Sequence, residues 1–168
     1  MTPPTRSRLP NATELVVNTG PLIALGRVGA FEVVGRLPIS FLVPQEVADE
    51  IAAGARLGHP VTIPAWANVV SLARPVASLG THLLDKGEAA VIQLALERGV
   101  GDVCIDEWRG RRAAAAVGLG VTGSLGLLGR AKHLGLIPAV EPWISKLANS
   151  GVHYHPDLLR AFLEGMGE

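Results

Sequence analysis

Asn18, Glu50, Glu88 and Asp106 stand where apolar stretches of the chain begin or end. Three are carboxylates and the first is an amide. Brought to one end of a sheet, they would form a pocket of hard oxygens suited to Mg²⁺ or Mn²⁺. The amide lends such a pocket an oxygen but no charge. Asn18 is therefore the position on which a working metal site and a weakened one differ most.

Each residue also has a local structural role open to it. Asp106 directly follows an apolar strand-like run and can N-cap the next helix, leaving its other oxygen free. Asp85-Lys86-Gly87-Glu88 has the spacing of a capping box, in which Glu88 reaches back to the cap. Glu50 can be a solvated helix residue, with Glu46 one turn earlier competing for the same role. Asn18 can cap the helix after its strand, since Asn caps as well as Asp. No member of the set is decisive alone.

The elements that must position these residues alternate between strand and helix. Leu15 to Val17, Ile39 to Val43, Val103 to Ile105 and Leu119 to Thr122 are short apolar runs, with Val69 to Leu72 a further candidate. Between them, Leu22 to Gly35 reads as a helix broken near Gly29, and a helix carrying Val47, Ile51 and Ala55 follows Pro44. Leu84 to Arg98 is the clearest helix, stopped by Gly99. Trp108 to Val117, Ser124 to Leu134, Trp143 to Ala148 and Asp157 to Leu163 complete the set. Short strands that are apolar throughout predict a central, mainly parallel sheet covered on both faces. In such sheets ligands bind beyond the carboxyl ends of the strands, where Asn18 and Asp106 fall.

Composition narrows the function classes. A chain of 168 residues is expected to form one domain, over 14–168, after a flexible leader over 1–13 that holds Pro3, Pro4, Arg6, Arg8 and Pro10. The single Cys104 excludes a disulfide framework within the chain and a thiol-rich zinc site, and suits a reducing cytoplasm. Fifteen basic and fifteen acidic residues balance, so contact with nucleic acid must use a local patch. Ala113 to Leu128 is apolar but interrupted by Gly118, Gly120, Gly123 and Gly126, which favours a soluble core over a membrane span. Asn11-Ala12-Thr13 matches a glycosylation acceptor, which carries no meaning without secretion.

The order of the local motifs is more specific than any one acid. Val16-Val17-Asn18-Thr19-Gly20-Pro21-Leu22-Ile23 resembles the opening strand and turn of PIN-domain nucleases. Val43-Pro44 with Val47 and Glu50-Ile51 resembles that family's second acidic element, and Leu84 to Ala89 the third. Ile105-Asp106-Glu107, with Arg109, Arg111 and Arg112 behind it, resembles the fourth. Val121 to Leu128, then Ala131-Lys132 and Gly135-Leu136-Ile137, is similar to a prokaryotic PIN-like subgroup near the VapC-type toxins of toxin–antitoxin systems. The resemblance runs from Leu15 to about the C-terminus and implies a three-layer α/β/α sandwich. It implies a metal-dependent endoribonuclease of single-stranded RNA, with Glu50, Glu88 and Asp106 as ligands of Mg²⁺ or Mn²⁺. Asn18 would stand where the family usually has Asp, as a neutral fourth ligand, in a form similar to a recurrent subgroup variant. An antitoxin protein and a homodimer are further implied partners. A non-catalytic PIN-like module that binds RNA or a partner protein is the alternative.

Four further features bear on function. Arg109 and Arg112 lie three apart, on one helix face, and can hold substrate phosphate; a solvated face is the alternative. Thr19 can hydrogen-bond the substrate or the site. Thr122-Gly123-Ser124-Leu125-Gly126 approaches a nucleophile elbow but lacks its first Gly, so Ser124 is expected to cap the next helix. His153-Tyr154-His155 is expected on the surface approach to the last helix. No P-loop, H-E-x-x-H or dinucleotide glycine motif is present.

Overall fold

The computed structural model describes residues 13–58, 60–76 and 83–168. Among these residues five strands, β1 (Thr13–Val17), β2 (Ile39–Pro44), β3 (Ala67–Val70), β4 (Asp102–Cys104) and β5 (Gly120–Thr122), form one sheet in the order β3-β2-β1-β4-β5. Every pairing is parallel. Burial follows that order. Leu15 to Val17 of the central strand are buried, whereas Val69 on the β3 edge is 43% exposed. A strand covered on both faces needs no alternation of polar and apolar residues, hence the unbroken Leu-Val-Val of β1.

Among the described residues eight helices flank the sheet: α1 (Thr19–Arg27), α2 (Phe31–Gly35), α3 (Gln45–Arg56), α4 (Lys86–Arg98), α5 (Trp108–Ala116), α6 (Ser124–His133), α7 (Glu141–Ala148) and α8 (Pro156–Gly165). Helix α4 packs on β1, β2 and β4 between α3 and α5, while α1 and α2 meet α6. This is the α/β/α sandwich expected from the sequence. Among the described residues no helix is long and apolar enough to cross a membrane. The expected leader lies outside the described residues except for Thr13, which begins β1.

Several boundaries differ from the sequence reading. The expected helix from Leu22 to Gly35 starts three residues earlier, at Thr19, and is broken at Gly29 as expected, giving α1 and α2. Gly29, at φ 71°, takes the left-handed conformation open to a residue without Cβ, and this ends α1. Strand β4 begins one residue before the expected Val103, and β3 two residues before Val69. Both shifts reflect pairing with a neighbour, which a strand's own composition does not encode. Trp66, just before β3, donates its indole N–H to the Phe31 carbonyl at 2.9 Å and lies against Gly35, tying the β3 edge to α2.

Candidate metal centre at the sheet switch point

The strand order reverses between β1 and β4, which opens a crevice at their carboxyl ends. Asn18 directly follows β1 there and donates its backbone N–H to the Cys104 carbonyl of β4 at 3.0 Å. It occupies the cap position of α1, yet its side chain makes no capping bond. The side chain is only 3% exposed and its Oδ1 has no hydrogen-bond partner. A buried acceptor without a donor costs about 1–3 kcal/mol, so its placement calls for a ligand or a functional reason. Glu46 Oε2, on the first turn of α3, is the other such buried oxygen among the described residues.

Glu50 lies on α3, one turn beyond Glu46. The Thr19 hydroxyl donates to Glu50 Oε2 at 2.5 Å, so the residue after Asn18 orients the second acid. Both Glu50 carboxylate oxygens lie 2.7 Å from where a Cβ would stand on Gly87, so α4 approaches closely only because that position is bare.

Glu88 does what its local spacing predicts. The Asp85 side chain accepts the Glu88 N–H at 2.7 Å and Glu88 Oε2 accepts the Asp85 N–H at 3.3 Å, completing the capping box of α4. The carboxylate is 4% exposed and packs over Gly110 of α5. Burial raises its pKa first, and the negative charges of Asp85, Glu107 and Glu50 raise it further. Structural capping and membership of an acidic cluster coexist in one side chain.

Asp106 follows β4 and also acts as a cap, but of a different helix from the expected one. Its Oδ1 accepts the backbone N–H of Ser124, the first residue of α6, at 2.8 Å. Its Oδ2 accepts the Ser124 hydroxyl at 2.6 Å. With its one proton so committed, Ser124 Oγ accepts from the Tyr154 hydroxyl at 2.7 Å, and Tyr154 also leans toward Oδ2 at 3.4 Å. Burial and the Asp106 charge push the Tyr154 phenol up, so it stays a donor. Ser124 is therefore not the expected cap of α6, a place taken by Gly123, but a buried bridge from Asp106 to Tyr154. Among the described residues its hydrogen-bond partners include no histidine, so the Ser–His arrangement of a nucleophile elbow is not present there.

The two arginines part company. Arg109 lines a cleft of about 620 Å³ with Asp85, Glu88, Glu107 and Trp108. Arg112 instead covers the Trp108 ring, 4.6 Å from its centroid. Arg111, between them, donates to the Ile105 carbonyl at 2.7 Å and braces the turn that carries Asp106. Ser124, Tyr154, Gly87 and Gly110 are the contributors missed in the sequence. Ser124 stood out in the sequence only as a helix cap and Tyr154 only within a surface His153-Tyr154-His155 cluster, while Gly87 and Gly110 carried no signal of close helix approach.

The model of the family DUF3368, described as a PIN domain, matches residues 14–168. The chain is a PIN domain. Neither the curated proteins nor the solved structures searched contain a significant match. PIN domains are generally nucleases and typically use divalent metal ions. The donors available in this PIN domain are hard oxygens, and the partnerless Oδ1 of Asn18 fits such an ion. Among the described residues, however, no three Asp, Glu, His or Cys side chains close around one point. Glu50 lies against Gly87 of α4 and its charge reaches Glu88, while Asp106 turns toward α6. The set fits a cation held by one or two carboxylates that keeps several waters, as Mg²⁺ commonly does, rather than a closed cage.

Proposed function

We propose that this PIN domain is a metal-dependent endoribonuclease that cuts single-stranded RNA, as the toxin of a toxin–antitoxin pair related to the VapC type. The observation that carries the reading is the buried, donorless Oδ1 of Asn18 at the switch point, next to Thr19, whose hydroxyl binds Glu50. Glu50, Glu88 and Asn18 would hold Mg²⁺ or Mn²⁺, with Asp106 completing the set. When bound, the ion supplies an activated water and offsets charge on the phosphodiester. Thr19 fixes Glu50 and frees no proton for other work. Ser124 and Tyr154 donate to the Asp106 carboxylate and hold it in one rotamer. Arg109, which lines the acidic cleft, would draw in a phosphate. The same reading puts the chain in the cytoplasm, with an antitoxin as its protein partner and a homodimer as its assembly. Isothermal titration with Mn²⁺ should give saturable binding that Glu50→Gln and Asp106→Ala weaken; no binding to the native chain, or unchanged binding in both variants, overturns the site.

One feature favours a second reading, a non-catalytic module that binds RNA or a partner protein. Asn18 removes a unit of negative charge from a position buried in low dielectric, where charge matters most. Asn18→Asp separates the two. Native protein that cuts single-stranded RNA supports the nuclease; native protein that is inert, with a cutting Asn18→Asp variant, supports the module.

A further inference from the structure

We propose that Trp108 is a stacking platform for one base of a single-stranded RNA whose backbone crosses the acidic centre, an inference that rests on the RNA-binding reading above. Trp108 opens α5 two residues after Asp106 and is 65% exposed. Leaving a large ring in water beside a polar site has no packing benefit. The ring stands between two clefts: the acidic one that holds Glu88 and Arg109, and a second one of about 620 Å³ on the far side of Asp106. The second cleft combines apolar walls from Val121, Leu125 and Phe162 with polar groups from His153, Tyr154 and His155. Its size lies within the ~300–1,000 Å³ typical of small-ligand sites. Its walls suit a flat, amphipathic group, which a nucleobase is.

The Arg112 guanidinium covers the Trp108 ring but lines neither cleft, so it backs the ring from outside while the remaining surface borders both. That contact restrains the indole at little cost and leaves a platform already set before the strand arrives. Stacking on an aromatic face is tolerant of sequence, because every base has a π-face. The geometry therefore assigns Trp108 to single strands, whose bases are free to splay, and not to duplexes.

Fluorescence anisotropy with a phosphorothioate-linked single-stranded oligouridine in Mn²⁺, against the same backbone carrying abasic sites, tests this directly. Native protein should prefer the base-bearing strand. Trp108→Ala should lose about 5- to 150-fold in affinity for that strand and almost nothing for the abasic one, and Trp108→Phe should restore most of the loss. Equal binding of the two strands by native protein, or an equal loss on both in Trp108→Ala, overturns the stacking site while leaving RNA binding intact. No binding of either strand by native protein overturns both readings.

Discussion

At the scale of single residues, the site is assembled from side chains that each hold two roles. Glu88 caps α4 and sits in an acidic field, and the second role works against the fold. A carboxyl whose pKa is raised in the native state contributes its stability below the ordinary value of 4.5 and loses it as pH climbs through the raised one. Glu88→Gln keeps an oxygen for the Asp85 N–H and removes the charge. It should therefore raise the melting temperature at neutral pH and leave it unchanged in acid, as thermal melts across pH will show. Ser124 is the opposite case. Wholly buried and bonded to a carboxylate, its hydroxyl supports the fold, and Ser124→Ala should cost about 1–3 kcal/mol in urea unfolding. Glu88's bond was legible because its partner lies three positions away. Ser124's was not, because Asp106 lies 18 positions off and Tyr154 lies 30, while a local capping role stood ready as an explanation.

At the scale of elements, acidic residues meet because helices approach closely at glycines. Gly87 admits Glu50 and Gly110 admits Glu88. A methyl on Gly87 would displace only the end of a flexible side chain, and Ala is favoured over Gly in a helix by about 1 kcal/mol. Gly87→Ala should thus leave thermal stability equal or higher, yet weaken Mn²⁺ binding on the order of tenfold by shifting Glu50. Parallel melting and titration measurements separate the two effects; a loss of both together would refute the assignment. The elements themselves were largely visible in the sequence. Buried parallel strands leave continuous apolar runs, and capping signals mark α4 at both ends, with Asp85 at its start and Gly99 at its end. What α5 does with its arginines was not visible, since helical spacing places Arg109 and Arg112 together and only the neighbouring Trp108 ring draws Arg112 away.

At the scale of the whole molecule, the C-terminal residue fastens the last helices to the rest. The Glu168 carboxylate accepts from Lys132 of α6 and from the backbone N–H groups of Val140 and Glu141, the latter two at 2.9 Å. These donors hold its pKa down to about 2, with the Lys132 bond foremost. Stability from such a group is present above the ordinary carboxyl value of 4.5 and fades as pH falls toward about 2. Glu168→Gln should melt below the native chain at neutral pH, and the two curves should converge in strong acid.

The strand order has a consequence in time as well as in space. β1 leaves the ribosome first but occupies the middle of the sheet. β2 and β3 follow soon and can cover one of its edges, whereas the other stays open until Asp102–Cys104 have been synthesised. During that interval Leu15 to Val17 present an unpaired apolar edge, the kind of surface on which nascent chains stick to one another. Because Asn18 is fixed through the Cys104 carbonyl, the crevice between β1 and β4 cannot exist on a growing chain until β4 has closed that edge.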